Sequence, residues 1–175
     1  MFNDILNYRE RFIKKFSYNI LRKNIEILKI IMDKIDAKDD INWVIAGNMS
    51  LALQGVEVDV NDIDIISDRC GAEKLNKLLS EFCIKPLKYS FTENYRSFYG
   101  IYKINNIKVE IMGNFQYKLK SGRWSIPNQL SYIEIYNFKN MQIPVLTLTQ
   151  ELKEYENIGK FDKVVAIKKQ FEIKI

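Results

Sequence analysis

The sequence contains no histidine, and this absence excludes several classes of enzyme. Hydrolases with Ser-His-Asp or Cys-His groups are excluded because they need an imidazole as the general base. Carboxylate, lysine and tyrosine side chains are left as the groups that can transfer protons. Cysteine is almost as scarce. Cys70 and Cys83 are too few for a disulfide framework and, without histidine, for a zinc site.

Proline and glycine are also rare, with 3 and 7 residues in a chain of 175. No repeat, low-complexity tract or flexible linker marks a domain boundary. Hydrophobic residues make up 47% of the chain, which is enough to bury a core. We therefore predict a single domain over residues 1–175, with an N-terminal helical segment (1–40), a catalytic core (41–146) and C-terminal helices (147–175).

Long apolar runs are missing as well. No run approaches the about 20 residues that span a bilayer, and the N-terminus lacks the pattern of a signal peptide. We expect a soluble cytoplasmic protein without a membrane partner. The formal net charge of +5 is compatible with a polyanion such as RNA, but basic pairs such as Lys14-Lys15 are more typical of a solvated helix face.

Apolar spacing predicts helices on both sides of a central β-rich region. Thr147 followed by Gln150 is a capping-box signal for a helix that ends at Gly159. Four further helices are predicted over Ile5–Phe16, Tyr18–Ile35, Ala72–Phe82 and Val164–Phe171.

Short apolar or alternating runs predict six strands, over Trp43–Ala46, Asp62–Ile66, Ser97–Ile104, Ile107–Met112, Tyr132–Phe138 and Gln142–Val145. Asn105-Asn106 suits a hairpin turn between two of them, because asparagine tolerates positive φ. Asn48 is expected to cap a short helix over Met49–Gln54. Strands mixed with helices indicate an α/β or α+β fold, a mixed sheet flanked by helices.

Asp62 and Asp64 lie two residues apart in a predicted strand, so their side chains share one face, about 7 Å apart. Such carboxylates repel each other unless a raised pKa, a basic side chain or a divalent ion relieves the repulsion. Their hard oxygen donors favour Mg²⁺ or Mn²⁺ among metals. Surface charge at a strand end is the alternative. A third acid is Glu110, and its competitors are Glu57 and Asp68.

The turn at Gly47 suits a phosphate group. A small residue permits close approach of the backbone, and the free N–H groups of the following helix favour anions. The side chains of Asn48 and Ser50 are additional donors. The alternatives are purely structural. Glycine is common in turns, and Ser50 could serve as a helix cap without binding phosphate.

The order of these features resembles the nucleotidyltransferase superfamily of the DNA polymerase β type. Its signature is an apolar strand, Gly-Gly or Gly-Ser, about nine to thirteen residues, an acidic-apolar-acidic strand and a later acidic strand residue. The matching segments are Val44–Ser50, Asp62–Ile65 and Lys108–Ile111. The chain is most similar to small stand-alone members, including lincosamide and aminoglycoside nucleotidyltransferases and nucleotidyltransferase toxins. Asn48 replaces the second glycine or serine of the signature.

The resemblance implies transfer of a nucleoside monophosphate, with AMP from ATP as the expected case, to an acceptor hydroxyl on a small molecule or macromolecule. Pyrophosphate is the second product. Asp62 and Asp64 would bridge two Mg²⁺ or Mn²⁺ ions, and Glu110 would complete the site and accept the proton. The nucleotide-binding candidates are Gly47, Asn48, Ser50 and Lys108, and other basic candidates for the triphosphate are Arg96, Lys103 and Arg123.

Two alternatives to this activity remain. The chain could be a catalytically silent nucleotide-binding domain, such as a regulatory partner in a toxin–antitoxin pair, or an RNA-modifying nucleotidyltransferase. The complete acidic triad favours catalysis. An aromatic group could stack on a base or acceptor, although core packing is the commoner role. Its members are Tyr89, Phe91, Tyr95, Phe98, Tyr99 and Tyr102.

Overall fold

The computed structural model describes residues 22–35, 40–127 and 130–173. The strands are β1 (Trp43–Ala46), β2 (Asp62–Ser67), β3 (Cys83–Phe91), β4 (Tyr95–Ile104), β5 (Ile107–Tyr117), β6 (Ile133–Phe138) and β7 (Met141–Leu146). The helices are α1 (residues 22–34), α2 (Gly47–Leu53), α3 (Arg69–Leu78), α4 (Leu148–Ile158) and α5 (Phe161–Ile173), with a 3-10 turn at Ser80–Phe82.

The strands form one mixed sheet in the order β3-β4-β5-β2-β1-β7-β6. β2 pairs in parallel with β5 and antiparallel with β1, so it lies at the centre of the sheet. β1 also pairs in parallel with β7, while β3–β4, β4–β5 and β6–β7 are antiparallel. The predicted mixed sheet flanked by helices is confirmed.

The main core covers one face of this sheet. Alternate residues of β2 and β5, including Ile63, Ile65 and Ile111, are fully buried in a cluster with apolar residues of α1 and α3. Because successive side chains of a strand point to opposite faces, Asp62, Asp64 and Glu110 project from the other face. The central strands therefore place a hydrocarbon core behind a row of carboxylates.

Several local predictions are confirmed by the backbone. Asn105 and Asn106 form the β4–β5 hairpin turn with φ values of 46° and 68°. The Thr147 side chain accepts a hydrogen bond from the Gln150 N–H at 3.3 Å, and Gly159 ends α4 in the left-handed conformation. Both elements follow from short-range rules, since each needs only a few neighbouring residues.

The sequence-based predictions were wrong about the ends of α3 and about β3. α3 begins at Arg69 because Asp68 caps it, accepting a hydrogen bond from the Gly71 N–H at 2.6 Å, and it ends at Leu78. β3 was not predicted at all. It is an edge strand that contains Pro86, a residue that weakens a strand signal but is tolerated where one side of the strand is unpaired.

The N-terminal predictions are tested only in part. α1 confirms a helix in the second half of the N-terminal segment, whereas the helix predicted over Ile5–Phe16 lies outside the described residues. Among the residues that the structure describes, no helix has the length and apolar character needed to cross a bilayer. The division into three functional segments stays a prediction.

Candidate active site

The three predicted carboxylates converge on the face of the sheet opposite the main core. Asp62 and Asp64 come from β2, and Glu110 comes from β5, where its Cα is the register partner of Asp64. One oxygen from each side chain can be chosen so that all three lie within 4.8 Å of one another. The parallel pairing of β2 and β5 thus brings together residues that are 46 positions apart or more in sequence.

The charge of this acidic triad is only partly balanced. Lys108 Nζ lies 2.9 Å from Asp62 Oδ2 and 3.3 Å from Glu110 Oε1. Burial, together with the charges of Asp62 and Glu110, raises the pKa of Asp64 from 3.8 to about 7. The triad therefore still favours an additional positive charge, although a lysine is already present.

Tyr99 of β4 holds the third carboxylate. Its hydroxyl donates a hydrogen bond to Glu110 Oε1. Burial and this carboxylate raise the pKa of Tyr99 above its ordinary value, so the phenol keeps its proton and remains a donor. Sequence analysis placed Tyr99 in an aromatic group without assigning it a polar contact.

The Gly47 turn packs directly against the triad. Gly47 has a φ of 66°, and a Cβ at this position would overlap the Asp64 carboxylate. Its N–H donates at 2.9 Å to Glu151 Oε1 of α4. The Gly47 backbone thus closely approaches Asp64, and its N–H group has a protein partner, while phosphate binding at this turn stays a prediction.

The capping role predicted for Asn48 is wrong, whereas nucleotide binding by Asn48 and Ser50 stays a prediction. α2 begins at Gly47 with Ala46 as its N-cap, and no side chain caps it. The Asn48 amide instead donates to the Asp59 carbonyl at 2.7 Å, which ties α2 to the loop before β2. Ser50 is fully buried, and its hydroxyl donates to the Leu146 carbonyl.

A cleft of about 440 Å³ opens beside the triad and includes Asp64, Glu110 and Tyr99 in its lining. Apolar and aromatic side chains from β2, β4 and β5 line another part, namely Ile66, Tyr95, Met112 and Phe115. α4 supplies Glu151, Glu154 and Tyr155, and Arg96 and Lys160 add positive charge. A concave site with an apolar lining and a few polar groups is the usual form of a small-molecule site.

The sequence matches the family model for aminoglycoside-2''-adenylyltransferase over residues 27–166, which is most of the chain. The chain belongs to this family. A structural comparison finds TM1012 from Thermotoga maritima, provisionally described as a nucleotidyltransferase, with 37% identity and a TM-score of 0.74 over 86% of this chain and 94% of that one. The comparison with curated proteins finds no match.

A second solved structure is ANT(2'')-Ia in complex with adenylyl-2''-tobramycin. It has 9% identity and a TM-score of 0.51, and the match covers 76% of this chain and 74% of that one. This likeness shows the fold alone. With the family match, the chain is a nucleotidyltransferase, an enzyme that uses a nucleotide substrate and an acceptor.

The nucleotidyltransferase fold separates Glu110 from its two competitors for the third acidic position. Glu57 is exposed and pairs with Lys169 at 3.5 Å, and Asp68 caps α3. Of the basic candidates, Lys108 contacts the triad and Arg96 lines the cleft. Lys103 is exposed and is the register partner of Lys108 on β4, and Arg123 is exposed in the loop after β5.

The six aromatic residues singled out in the sequence do not share one environment. Tyr102 is fully buried in the core, whereas Tyr95 and Tyr99 line the cleft. Tyr89 and Phe91 are exposed on the edge strand β3. A single sequence run therefore supplies core, cleft and surface residues, because the faces of β3 and β4 have different surroundings.

Sequence analysis missed the contribution of α4 to the site. Glu151 is 2% exposed, and burial followed by the charge of Glu154 raises its pKa well above the ordinary value. The Glu154 carboxylate accepts a hydrogen bond from Gln150 at 2.9 Å, and its pKa is also raised by burial. A signal was present in the sequence, because Glu151 and Glu154 lie at helical spacing from the apolar residues Leu148 and Tyr155. Acids on the buried side of a helix are uncommon unless they have a partner.

Proposed function

We propose that this nucleotidyltransferase transfers AMP from ATP to a hydroxyl group, using divalent metal ions held by Asp62, Asp64 and Glu110. The observation that supports this proposal is the convergence of the three carboxylates, with ligand atoms within 4.8 Å, at the side of a cleft of about 440 Å³. The residues that bind metal and nucleotide, and the identity of both substrates, are part of the proposal.

The chemistry of the triad fits a divalent cation. Its donors are hard carboxylate oxygens, which suit Mg²⁺ or Mn²⁺. Burial and the negative charges of Asp62 and Glu110 raise the pKa of Asp64 to about 7, and a divalent ion would offset the repulsion between these carboxylates. Asp62, Asp64 and Glu110 would hold two such ions. Such ions polarise a phosphoryl oxygen and lower the pKa of an attacking hydroxyl.

The protein side chains would place and neutralise the reactants. The Lys108 side chain is 47% exposed beside the triad, so its ammonium can move onto a triphosphate oxygen. Tyr99 holds Glu110 towards the cleft through its hydrogen bond. Bound in this way, the acceptor hydroxyl and the α-phosphorus would lie near the base, and positioning provides much of the rate enhancement in such transfers.

In the proposed reaction, the acceptor oxygen forms a bond to the α-phosphorus. The bond from that phosphorus to the α–β bridging oxygen breaks, and pyrophosphate leaves with the electron pair. The hydroxyl proton passes to the Glu110 carboxylate, which faces the cleft. Atoms and charge balance without an oxidant or a further co-reactant.

The cleft favours a small acceptor. Its volume of about 440 Å³ lies in the range of small-molecule sites, and carboxyl groups of α4 form part of its lining. The family name and the adenylyl-2''-tobramycin complex of ANT(2'')-Ia point in the same direction. We therefore propose an acceptor that carries a hydroxyl group and amino groups, as aminoglycosides do.

A label-transfer screen tests this function. The full-length protein is incubated with Mg²⁺ or Mn²⁺, each of four nucleoside triphosphates, and a panel of aminoglycosides, tRNA and cell extract. We expect α-phosphorus label from ATP on an acceptor and γ-phosphorus label in pyrophosphate, with both lost in Asp64→Asn. Transfer of the γ label to the acceptor would refute the proposal, and so would α-label transfer by Asp64→Asn at the wild-type rate.

A further inference from the structure

The contact between Glu151 and Gly47 joins α4 to the catalytic face across 104 residues of sequence. The Glu151 side chain is buried, and its Oε1 accepts the Gly47 N–H at 2.9 Å. The Tyr155 side chain, one helical turn later, lies beside the same carboxyl group. A buried carboxyl group is costly unless it is hydrogen-bonded, and the Gly47 N–H supplies such a bond to Glu151.

Gly47 connects Glu151 to the triad. Its neighbour Ala46 is the register partner of Asp64 in the β1–β2 pair. The Gly47 α-carbon lies so close to Asp64 that a Cβ would overlap the carboxylate. The Gly47 backbone thus limits the space of the Asp64 side chain. The hydrogen bond that holds the Gly47 peptide therefore also restricts the rotamer of Asp64.

We propose that Glu151 is a positioning residue that, by holding the Gly47 peptide, keeps Asp64 directed towards Asp62 and Glu110 for metal binding. This inference rests on the proposed function, in which the triad binds divalent ions. Glu151 acts through Gly47 and does not contact the ion. Loss of the Glu151 carboxyl group leaves the Gly47 N–H unpaired, and the turn shifts until this N–H finds another acceptor.

The structure argues against Glu151 as a fourth metal ligand. The group of acids with ligand atoms within 4.8 Å comprises Asp62, Asp64 and Glu110 among the described residues, without Glu151. The oxygen of Glu151 nearest the turn is already used by Gly47.

Two substitutions separate reach from charge. Glu151→Gln keeps the length of the side chain and an oxygen acceptor but removes the carboxyl group. Glu151→Asp keeps the carboxyl group but is one methylene shorter, so it cannot reach Gly47 without movement of α4. Glu156→Gln is the matched control, because Glu156 is on the same helix and pairs with Lys168 at 2.9 Å.

The readout is the dissociation constant for Mn²⁺, measured by calorimetry on the full-length protein without nucleotide, beside its thermal unfolding temperature. We expect Glu151→Gln and Glu156→Gln to bind within about twofold of wild type, and Glu151→Asp to bind about tenfold more weakly, the effect of an unpaired buried donor. Rescue by glutamine but not by aspartate is an outcome that general destabilisation would not produce.

Either of two results overturns the inference. In the first, Glu151→Asp binds Mn²⁺ as tightly as wild type. In the second, Glu151→Gln loses affinity as much as Glu151→Asp does, which would make the carboxylate itself a ligand. If wild type binds no Mn²⁺, or Asp64→Asn binds it normally, the metal assignment falls together with the inference. If Asp64→Asn loses Mn²⁺ binding but both Glu151 variants bind as wild type does, the metal assignment stands and only the role of Glu151 is refuted.

Discussion

Substitution of Lys108 by methionine should strengthen metal binding in the absence of nucleotide. The Lys108 ammonium contacts Asp62 at 2.9 Å and Glu110 at 3.3 Å, among the oxygens proposed to bind the ion. A divalent ion within about 4 Å of this ammonium would be repelled by about 8 kcal/mol at an effective dielectric constant of about 20. The ammonium must therefore leave the triad when the ion enters.

The size of the effect follows from what is lost when the lysine leaves. The Lys108 side chain is 47% exposed, and ion pairs at such positions contribute about 0.2–1 kcal/mol each. Breaking two of them costs about 1 kcal/mol, which is about fivefold in a dissociation constant. Lys108→Met removes this competition, so we expect Mn²⁺ to bind about fivefold more tightly.

Nucleotide binding should change in the opposite direction. If the released ammonium contacts a triphosphate oxygen, its removal loses a charged hydrogen bond of about 1.5–3 kcal/mol. We expect a non-hydrolysable ATP analogue at saturating Mn²⁺ to bind Lys108→Met about ten- to a hundredfold more weakly. Both affinities are measured by isothermal titration calorimetry.

The control is Lys29→Met, which removes the same charge from an exposed position on α1, where Lys29 pairs with Asp33. α1 packs on the opposite face of the sheet, so this variant should bind both ligands as wild type does. Wild-type or weaker Mn²⁺ affinity in Lys108→Met without nucleotide would refute the competition between lysine and metal.

Three further predictions concern the same face of the sheet. The folded state keeps the Asp64 proton up to a pKa of about 7, against 3.8 ordinarily, so it binds more protons than the unfolded state between these values. Stability is thus lost as pH rises from about 4 to about 7, and in EDTA the unfolding temperature should fall over this range and level off above it, with a flatter curve for Asp64→Asn; identical curves would contradict the shift. Gly47→Ala should lower the free energy of unfolding in urea by about 1–2 kcal/mol, because φ is 66° there, and it should abolish Mn²⁺ binding because the new Cβ meets Asp64. Tyr99→Phe should reduce kcat about tenfold at saturating substrates, since Glu110 loses a donor, and an unchanged kcat would remove Tyr99 from the mechanism.

Local signals explain why much of the fold was predictable. The β4–β5 hairpin depends on Asn105-Asn106, and α4 depends on Thr147, Gln150 and Gly159, all of which act within a few residues. The resemblance to nucleotidyltransferases added Glu110 as the third acid beside the Asp62–Asp64 pair. Spacing by two then placed both aspartates on one face, as the structure shows.

The failures have a common cause in tertiary contacts. The partner of Gly47 is 104 residues away, and no local rule connects a turn to a helix at that distance. Ser50 has the residue type of a phosphate donor, yet the position of β7 directs its hydroxyl to the Leu146 carbonyl. β3 carries a weak pattern of its own and exists because β4 offers it an edge to pair with.

The most direct test of the central claim is the location of Mn²⁺ by anomalous diffraction in crystals grown with a non-hydrolysable ATP analogue. The account predicts two anomalous peaks at about 2.0–2.3 Å from carboxylate oxygens of Asp62 and Asp64, one of them also ligated by Glu110. Peaks bound away from β2, or an analogue whose α-phosphate lies outside the cleft beside the triad, would contradict it.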